Sequence, residues 1–419
     1  MKSLGWIDEA LAAARPQAVG ALLRYFRDLD TAEDAYQEAC VRALKSWPEK
    51  GLPRDPAAWL IFVGRNAALD VIRRRSKQQS LPPEDLISDL EDVENSVVED
   101  LDNAHYRDDI LRLLFVCCHP DLPANQQIAM ALRIVSGLSV REIARAFLIT
   151  EKAMEQRITR AKRRVGEAGI SFSVPDARER AARLGTVASM IYLVFNEGYS
   201  ASGGSVHVRV ALCDEALRLA RILLSIFPGE PEIMGLTALL LMQHSRTLAR
   251  LDADNRIVLL QDQDRRLWNH AMIAEGGDLV RKARAMRRPG PYQIQSAIAA
   301  VHAEAPTAED TDWAQIDQLY GVLQRVQPSP VIELNRAVAV AKLHGPAAAL
   351  ALVEPLGEHL LNYFHFYGVK AVLLKDLGRT EEAREAFNRA LALANTAAEA
   401  EHIRMQIAGL STSQKPAHS

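Results

Sequence analysis

Apolar residues recur at three- and four-residue spacing through most of this chain, while the strict alternation of a half-buried strand is almost absent. Ala, Leu, Glu and Arg dominate, so the pattern predicts an all-α protein. Its sharpest local signal is LSVREIARAFLITEKAMEQRITRAKRR, Leu138 to Arg164. Ser139 followed by Glu142 is a capping box that satisfies free N–H groups and predicts a helix from about Val140. Ile143, Ala144 and Phe147 give it a short apolar face, Leu148 and Ile149 break the register, and Thr150 offers a second capping hydroxyl. In the next helix Met154, Ile158, Ala161 and Val165 form the inner stripe, leaving Lys152, Glu155, Gln156, Thr159, Arg160 and Arg163 outside. Two helices across so short a turn make a helix-turn-helix.

A second constellation precedes it, TAEDAYQEACVRALKSWPEKGLPRDPAAWLIFVGRNAALDVIRRRSK. Thr31, with Asp34 at the third position, predicts a helix whose polar face carries Asp34, Gln37, Glu38 and Arg42. Ala35, Ala39, Val41 and Leu44 are its candidates for packing, and Trp47 and Pro48 end it. Beyond a loop holding Pro53 and Pro56, Trp59, Leu60, Val63, Ala67 and Val71 recur at helical spacing, with Asn66, Asp70, Arg73, Arg74 and Arg75 on other faces.

Shifts of composition divide the chain into a helical domain over 1–80, an acidic linker over 81–109, the helix-turn-helix domain over 110–168, a helical extension over 175–410 and a disordered tail over 411–419. In the extension Ala337, Leu343, Ala349 and Val353 align with Ala371, Leu377, Ala383 and Phe387 at an offset of 34 residues, the period of a tetratricopeptide repeat. Earlier helix pairs lack the full pattern and predict an irregular array.

A length of 419 residues calls for several domains, and 48% hydrophobic with 25% charged residues excludes fibrous and disordered classes. The net charge of −3 hides a local excess of cations: Arg157, Arg160, Lys162, Arg163 and Arg164 gather where DNA phosphates would lie against the second helix. Gln156 and Arg157 are suited to base edges, Gln to adenine and Arg to guanine. No run of eighteen apolar residues and no signal-peptide core occurs, which predicts a soluble cytoplasmic protein with no membrane partner. Cys40, Cys117, Cys118 and Cys213 lack metal-ligand spacing, no catalytic grouping is visible and no phosphate-binding glycine loop follows a strand, so no metal, cofactor or enzymatic activity is expected.

The first constellation resembles region 2 of bacterial sigma factors of the extracytoplasmic-function type, and the helix-turn-helix is similar to their region 4, in the same order around a linker. The extension resembles that of a subgroup with a tetratricopeptide-like C-terminal domain. The resemblance implies core RNA polymerase and promoter DNA as partners. It assigns Asp34, Gln37, Glu38 and Arg42 to the polymerase, and Trp59, Arg65, Asn66, Asp70, Arg73 and Arg74 to the −10 element. Trp59, among Leu60, Val63 and Val71, fits core packing as well as base stacking. Lys152, Glu155, Gln156, Arg157 and Arg160 fall to the −35 element, although Glu155 stands where a cation is usual. Segments similar to YLVFNEGYSASGG and DQDRRLWNH occur in the subgroup and imply a regulatory role for Asn196, Glu197, Tyr199, Asp262, Asp264 and Arg265, through another protein or an intramolecular contact. A second reading stays open: a helix-turn-helix regulator that binds paired half-sites and senses a ligand or partner through its repeat domain.

Overall fold

The computed structural model describes residues 5–76, 103–119, 121–147, 149–167, 177–199, 206–254, 256–394 and 397–412. The chain is all-α, and its described residues form two compact units, 1–193 and 194–419.

In the first unit α1 (Gly5–Phe26), α2 (Leu29–Lys50) and α3 (Pro56–Ser76) pack on one another. α4 (Asn103–Cys117) lies along α1. α5 (Ala124–Met130) runs into a π-helical turn, Ala131–Val135, and the helix-turn-helix follows as α6 (Val140–Ala146) and α7 (Glu151–Glu167). Leu22, Leu23, Trp47, Leu60, Leu113, Leu114, Met130 and Leu132 fill the core completely. α8 (Ala177–Tyr199) spans the boundary between the units.

Four expectations about the elements change. Asp28, not Thr31, caps α2: its Oδ1 accepts the Thr31 N–H at 2.7 Å and hydroxyl at 2.6 Å, which places Thr31 in the first turn. α2 also continues through Pro48 to Lys50, because a proline so near the end forfeits only a single backbone bond, and Gly51 closes the helix with its N–H on Trp47. The acidic segment expected to run to residue 109 is helical from Asn103, and Asp109 is 1% exposed, its carboxylate between Arg112 at 2.9 Å and Arg24 at 3.4 Å. Paired carboxylates bury readily, which composition alone does not reveal. Residues 81–102 of that linker lie outside the described residues, as does 413–419 of the tail, whereas Ser411 and Thr412 belong to the last helix.

The second unit is a succession of helices, α9 (Val206–Ile226), α10 (Pro231–His244), α11 (His270–Ala285), α12 (Pro291–Glu304), α13 (Trp313–Val326), α14 (Pro330–His344), α15 (Pro346–Val353), α16 (Phe364–Asp376), α17 (Thr380–Leu393) and α18 (Ala397–Thr412), each packed on the next. α10 is buried along nearly its whole length, and its Gly235 meets α12 so closely that a Cβ would stand 2.5 Å from the Gln293 nitrogen. One turn away the Glu232 carboxylate accepts the N–H groups of Tyr292 and Gln293, both at 3.1 Å, and so caps α12 from a neighbouring helix. In α14 to α17 the repeated small positions Ala337, Ala349, Ala371 and Ala383 are fully buried at helix crossings around Phe366 and Phe387.

Candidate nucleic-acid and polymerase interfaces

Ala32, Ala35, Ala39, Ala43 and Trp47, spaced by three and four, turn one face of α2 into the core. Alanines there let α2 approach α1 and α3 closely. The opposite face is left to Asp34, Gln37, Glu38 and Arg42, all exposed, with Arg42 Nε donating to Glu38 at 3.1 Å. Val41 and Leu44, expected to pack, are 44% and 45% exposed. Position 41 is two residues from both Ala39 and Ala43, which points it away from the core, and Leu44 follows it by three onto the outer face. The outer stripe therefore joins charges to an apolar strip, a composition suited to a protein partner.

α3 opens with Asp55 accepting the Ala58 N–H at 3.0 Å. Trp59 is half-buried and meets the buried Trp47 edge to face, ring centres 5.4 Å apart. One turn and a half further, the half-buried Arg65 lies with its guanidinium 5.8 Å from the Tyr25 ring centre and 5.9 Å from that of Phe62. Tyr25 is 53% exposed, so an open aromatic ring stands beside a cation, the pairing on which an unstacked base can lie. Tyr25 was not among the sequence candidates; its signal is the Arg-Tyr-Phe-Arg run that ends α1. Asn66 is half-buried and Asp70 exposed. Arg73 and Arg74 belong to the last turns of α3, and their side chains lie outside the described residues.

The helix-turn-helix forms as its punctuation implies. Ser139 Oγ accepts the Glu142 N–H at 3.2 Å while Glu142 accepts the Ser139 N–H at 2.8 Å, and Thr150 Oγ1 accepts the Ala153 N–H at 3.2 Å. Met154, Ile158, Ala161 and Val165 are buried. Lys152, Glu155, Gln156, Thr159, Arg160 and Arg163 are exposed and Arg157 is half-buried, so the −35 candidates share one accessible face.

Lys162 behaves differently from the other cations of α7. Its ammonium donates to Asp30 at 2.6 Å and Glu33 at 2.7 Å, both on α2. Glu33, 6% exposed, also accepts from Arg15 at 3.1 Å. Arg15, 4% exposed, donates through Nε to the Ile134 carbonyl at 2.9 Å and through Nη2 to that of Arg133 at 3.2 Å, and lies 4.8 Å from the Tyr36 ring centre. Burial alone would lower the Lys162 ammonium; its hydrogen bonds to Asp30 and Glu33 outweigh that and hold its pKa above the ordinary value. Burial raises the neighbouring Cys117 thiol far above its usual range, with Cys118 and Glu33 adding to it, so the thiol is inert. Gly137 completes the arrangement: its φ of +77° is a left-handed conformation, and a Cβ there would stand 2.8 Å from Arg15 Cδ. A buried ionic cluster thus ties the helix-turn-helix to the first helical domain. Lys162 is spent on that tie rather than on phosphate.

The two segments singled out in the extension differ in structure. Tyr192 to Tyr199 are the final turns of α8, and residues 200–204 lie outside the described residues. Asn196 and Glu197 are half-buried, and burial raises the Glu197 carboxyl. Tyr199 anchors an arginine pair: the Arg250 guanidinium lies 3.6 Å from its ring centre and donates to its carbonyl at 2.7 Å, while Arg246 donates to its hydroxyl at 3.2 Å. In the second segment Asp264 holds Arg266, Asp262 is exposed, and Arg265 Nη1 bridges the carbonyls of His302 at 2.7 Å and Ala305 at 2.6 Å. Burial first, and then the charge of Arg246, disfavour the charged forms of Arg265 and His302, and Arg246 also bonds Tyr199, so it relates the two segments.

Residues 11–78 match the family model of Sigma-70 region 2, which takes in α2 and the Tyr25–Arg65 pair. Residues 112–165 match that of Sigma-70, region 4, which takes in the helix-turn-helix. The probable ECF RNA polymerase sigma factor SigI of Mycobacterium tuberculosis is 28% identical over 42% of this chain and 59% of its own length. The ECF RNA polymerase sigma factor BldN of Streptomyces coelicolor is 33% identical over 32% of this chain and 48% of its own length. The chain belongs to the extracytoplasmic-function sigma factors. It carries an additional C-terminal domain, of which residues 183–284 match a family of unknown function, DUF6596. An uncharacterized protein of Rhizobium meliloti is 66% identical over 97% of this chain and 96% of its own length, so the whole arrangement of sigma regions plus extension recurs there. The sigma factors are not an enzyme family. Among the described residues no helix is long and apolar enough to cross a membrane, and no group of His, Cys, Asp and Glu could hold a metal ion.

Proposed function

We propose that this sigma factor binds core RNA polymerase through the outer face of α2 and directs initiation at promoters it reads with α3 and α7, its extension adjusting that activity. The observation that carries the reading is the outer stripe of α2, where Asp34, Gln37, Glu38, Val41, Arg42 and Leu44 lie open on a helix whose inner face is already filled. An apolar strip held at the surface by its own register has no role in folding and suits a partner.

On this reading Tyr25 and Arg65 stack and neutralise the opened −10 strand, with Asn66, Asp70, Arg73 and Arg74 along the same helix. Lys152, Glu155, Gln156, Arg157 and Arg160 face the −35 major groove, Glu155 favouring cytosine over a bare phosphate. Elements centred at −10 and −35 lie some 25 base pairs apart, about 85 Å of B-DNA. A helix the length of α1 is only about 33 Å long. Two modules held together through Lys162, Asp30 and Glu33 cannot span that distance, so the packed form is a closed state that opens on the polymerase. The tetratricopeptide-like pairing of α14 to α17 provides the extension with a scaffold, and Asn196, Glu197, Tyr199, Asp262, Asp264 and Arg265 are the residues we assign to regulatory contacts, Tyr199 beside Arg246 and Arg250.

Footprinting on a responsive promoter tests the reading. With core polymerase present, protection at two unlike sites near −35 and −10 supports it. Two symmetric major-groove footprints without polymerase would instead support a dimeric repressor or activator.

A further inference from the structure

The second unit holds a cavity of about 330 Å³. That is the lower end of the range occupied by small organic ligands, about 300–1,000 Å³. Its walls come from Leu259, Leu260, Gln261 and Arg265, from the end of α12 and the segment that follows it, and from α13 and α14. The body of the cavity is apolar and aromatic, with Trp313, Ile316 and Tyr320 on α13. Leu259 and Val338 also line it and are 41% and 38% exposed, apolar side chains kept open to a concave surface.

The polar lining has one sign. Arg265 and Lys342 face the cavity, and among the described residues no Asp or Glu lines it. Arg265 is partly desolvated: burial, then repulsion from Arg246, lowers its pKa, while Glu309 and Asp310 act in the other direction from outside the lining. Its two hydrogen bonds to the His302 and Ala305 carbonyls both use Nη1. The remaining edge, Nε and Nη2, is the fork that a carboxylate engages with two bonds. Lys342 Nζ lies 5.9 Å from the Trp313 ring centre and reaches Gln261 only at 3.4 Å, so it too is weakly committed. His302 meets Trp313 edge to face at 5.3 Å, and burial together with Arg246 and Arg265 brings its pKa down to about 4. It is therefore neutral at physiological pH and adds a hydrogen-bonding nitrogen without a third charge.

We propose that this cavity binds a small organic anion, a carboxylate carried on an aromatic or branched aliphatic body. The carboxylate lies between Arg265 and Lys342, and the body packs on Trp313, Ile316 and Tyr320. The inference stands apart from the promoter reading, because binding is measured with the full chain alone, in the absence of polymerase and DNA.

The test uses 1-naphthoate and 4-phenylbutyrate beside their neutral amides, followed by ligand-observed NMR and by tryptophan fluorescence. Saturable binding of the carboxylates is expected, with the amides about ten-fold weaker or more. Lys342→Gln, at an exposed position, should weaken the carboxylates by about five- to ten-fold and leave the amides unchanged. Val338→Trp, which fills the cavity from its open side, should abolish both. Equal binding of acids and amides, no saturable binding of any probe, or carboxylate affinity unchanged in Lys342→Gln would overturn the proposal.

Discussion

Replacing Val41 or Leu44 by Ser removes apolar surface from the outer face of α2 without opening the core, which Ala39, Ala43 and Trp47 fill from the other side. Either substitution is expected to shift unfolding free energy by no more than about 0.5 kcal/mol, as at other surface positions. Affinity for core polymerase, followed by fluorescence anisotropy of the labelled chain, should fall by about ten-fold if the strip lies in the centre of that interface. Unchanged affinity would place the partner elsewhere. Gly137→Ala probes the opposite kind of residue. A methyl group must enter the left-handed region and displace Arg15 from the ionic cluster, at a cost of about 1–3 kcal/mol. Denaturant unfolding of the full chain should show a lower midpoint, and an unaltered midpoint would mean that the close approach of Arg15 is not part of the stable form.

Among the elements, α7 has two roles that substitution can separate. On the proposed reading its outer cations would meet phosphate in the promoter complex, and Arg160→Ala or Arg163→Ala should then reduce the steepness of log affinity against log salt by about one each. A parallel loss without change of slope would assign these arginines to base reading instead. Lys162 faces α2, and Lys162→Met deletes its charged hydrogen bonds while Arg15 still neutralises Glu33. About 1.5 kcal/mol of closure should be lost. Energy transfer between dyes at Glu49→Cys and Glu167→Cys should then drop relative to the parent, and equal transfer would rule out a latch through this residue.

The legibility of these elements in the sequence follows from how local their causes are. The capping box at Ser139 and the stripe of Met154, Ile158, Ala161 and Val165 depend on neighbours within a turn or two, and they fold as their spacing implies. Hydrophobicity is a poor guide to Val41 and Leu44, because alanines at positions 35, 39 and 43 already fix the inner face of α2. Lys162 and Glu33 meet across a sequence separation of 129 residues, and Tyr25 reaches Arg65 from another helix; neither pairing leaves any mark on local periodicity. The final turns of α8 have the composition of a loop, because Asn, Glu and Gly cluster there. In the structure Tyr199, held by Arg250, finishes the helix.

For the whole molecule, the slight negative charge is the sum of unlike parts: a cationic helix-turn-helix face, an acidic segment, and an extension with its own core and its own cavity. Promoter-directed initiation by the intact chain is the central property proposed for this protein. Run-off transcription with purified bacterial core RNA polymerase and a pool of genomic promoter fragments measures it directly. Discrete start sites are expected that depend on the protein and disappear when Arg157 and Arg160 are both replaced by Ala. Absence of any protein-dependent start site, or start sites indifferent to that double substitution, would contradict the proposed function.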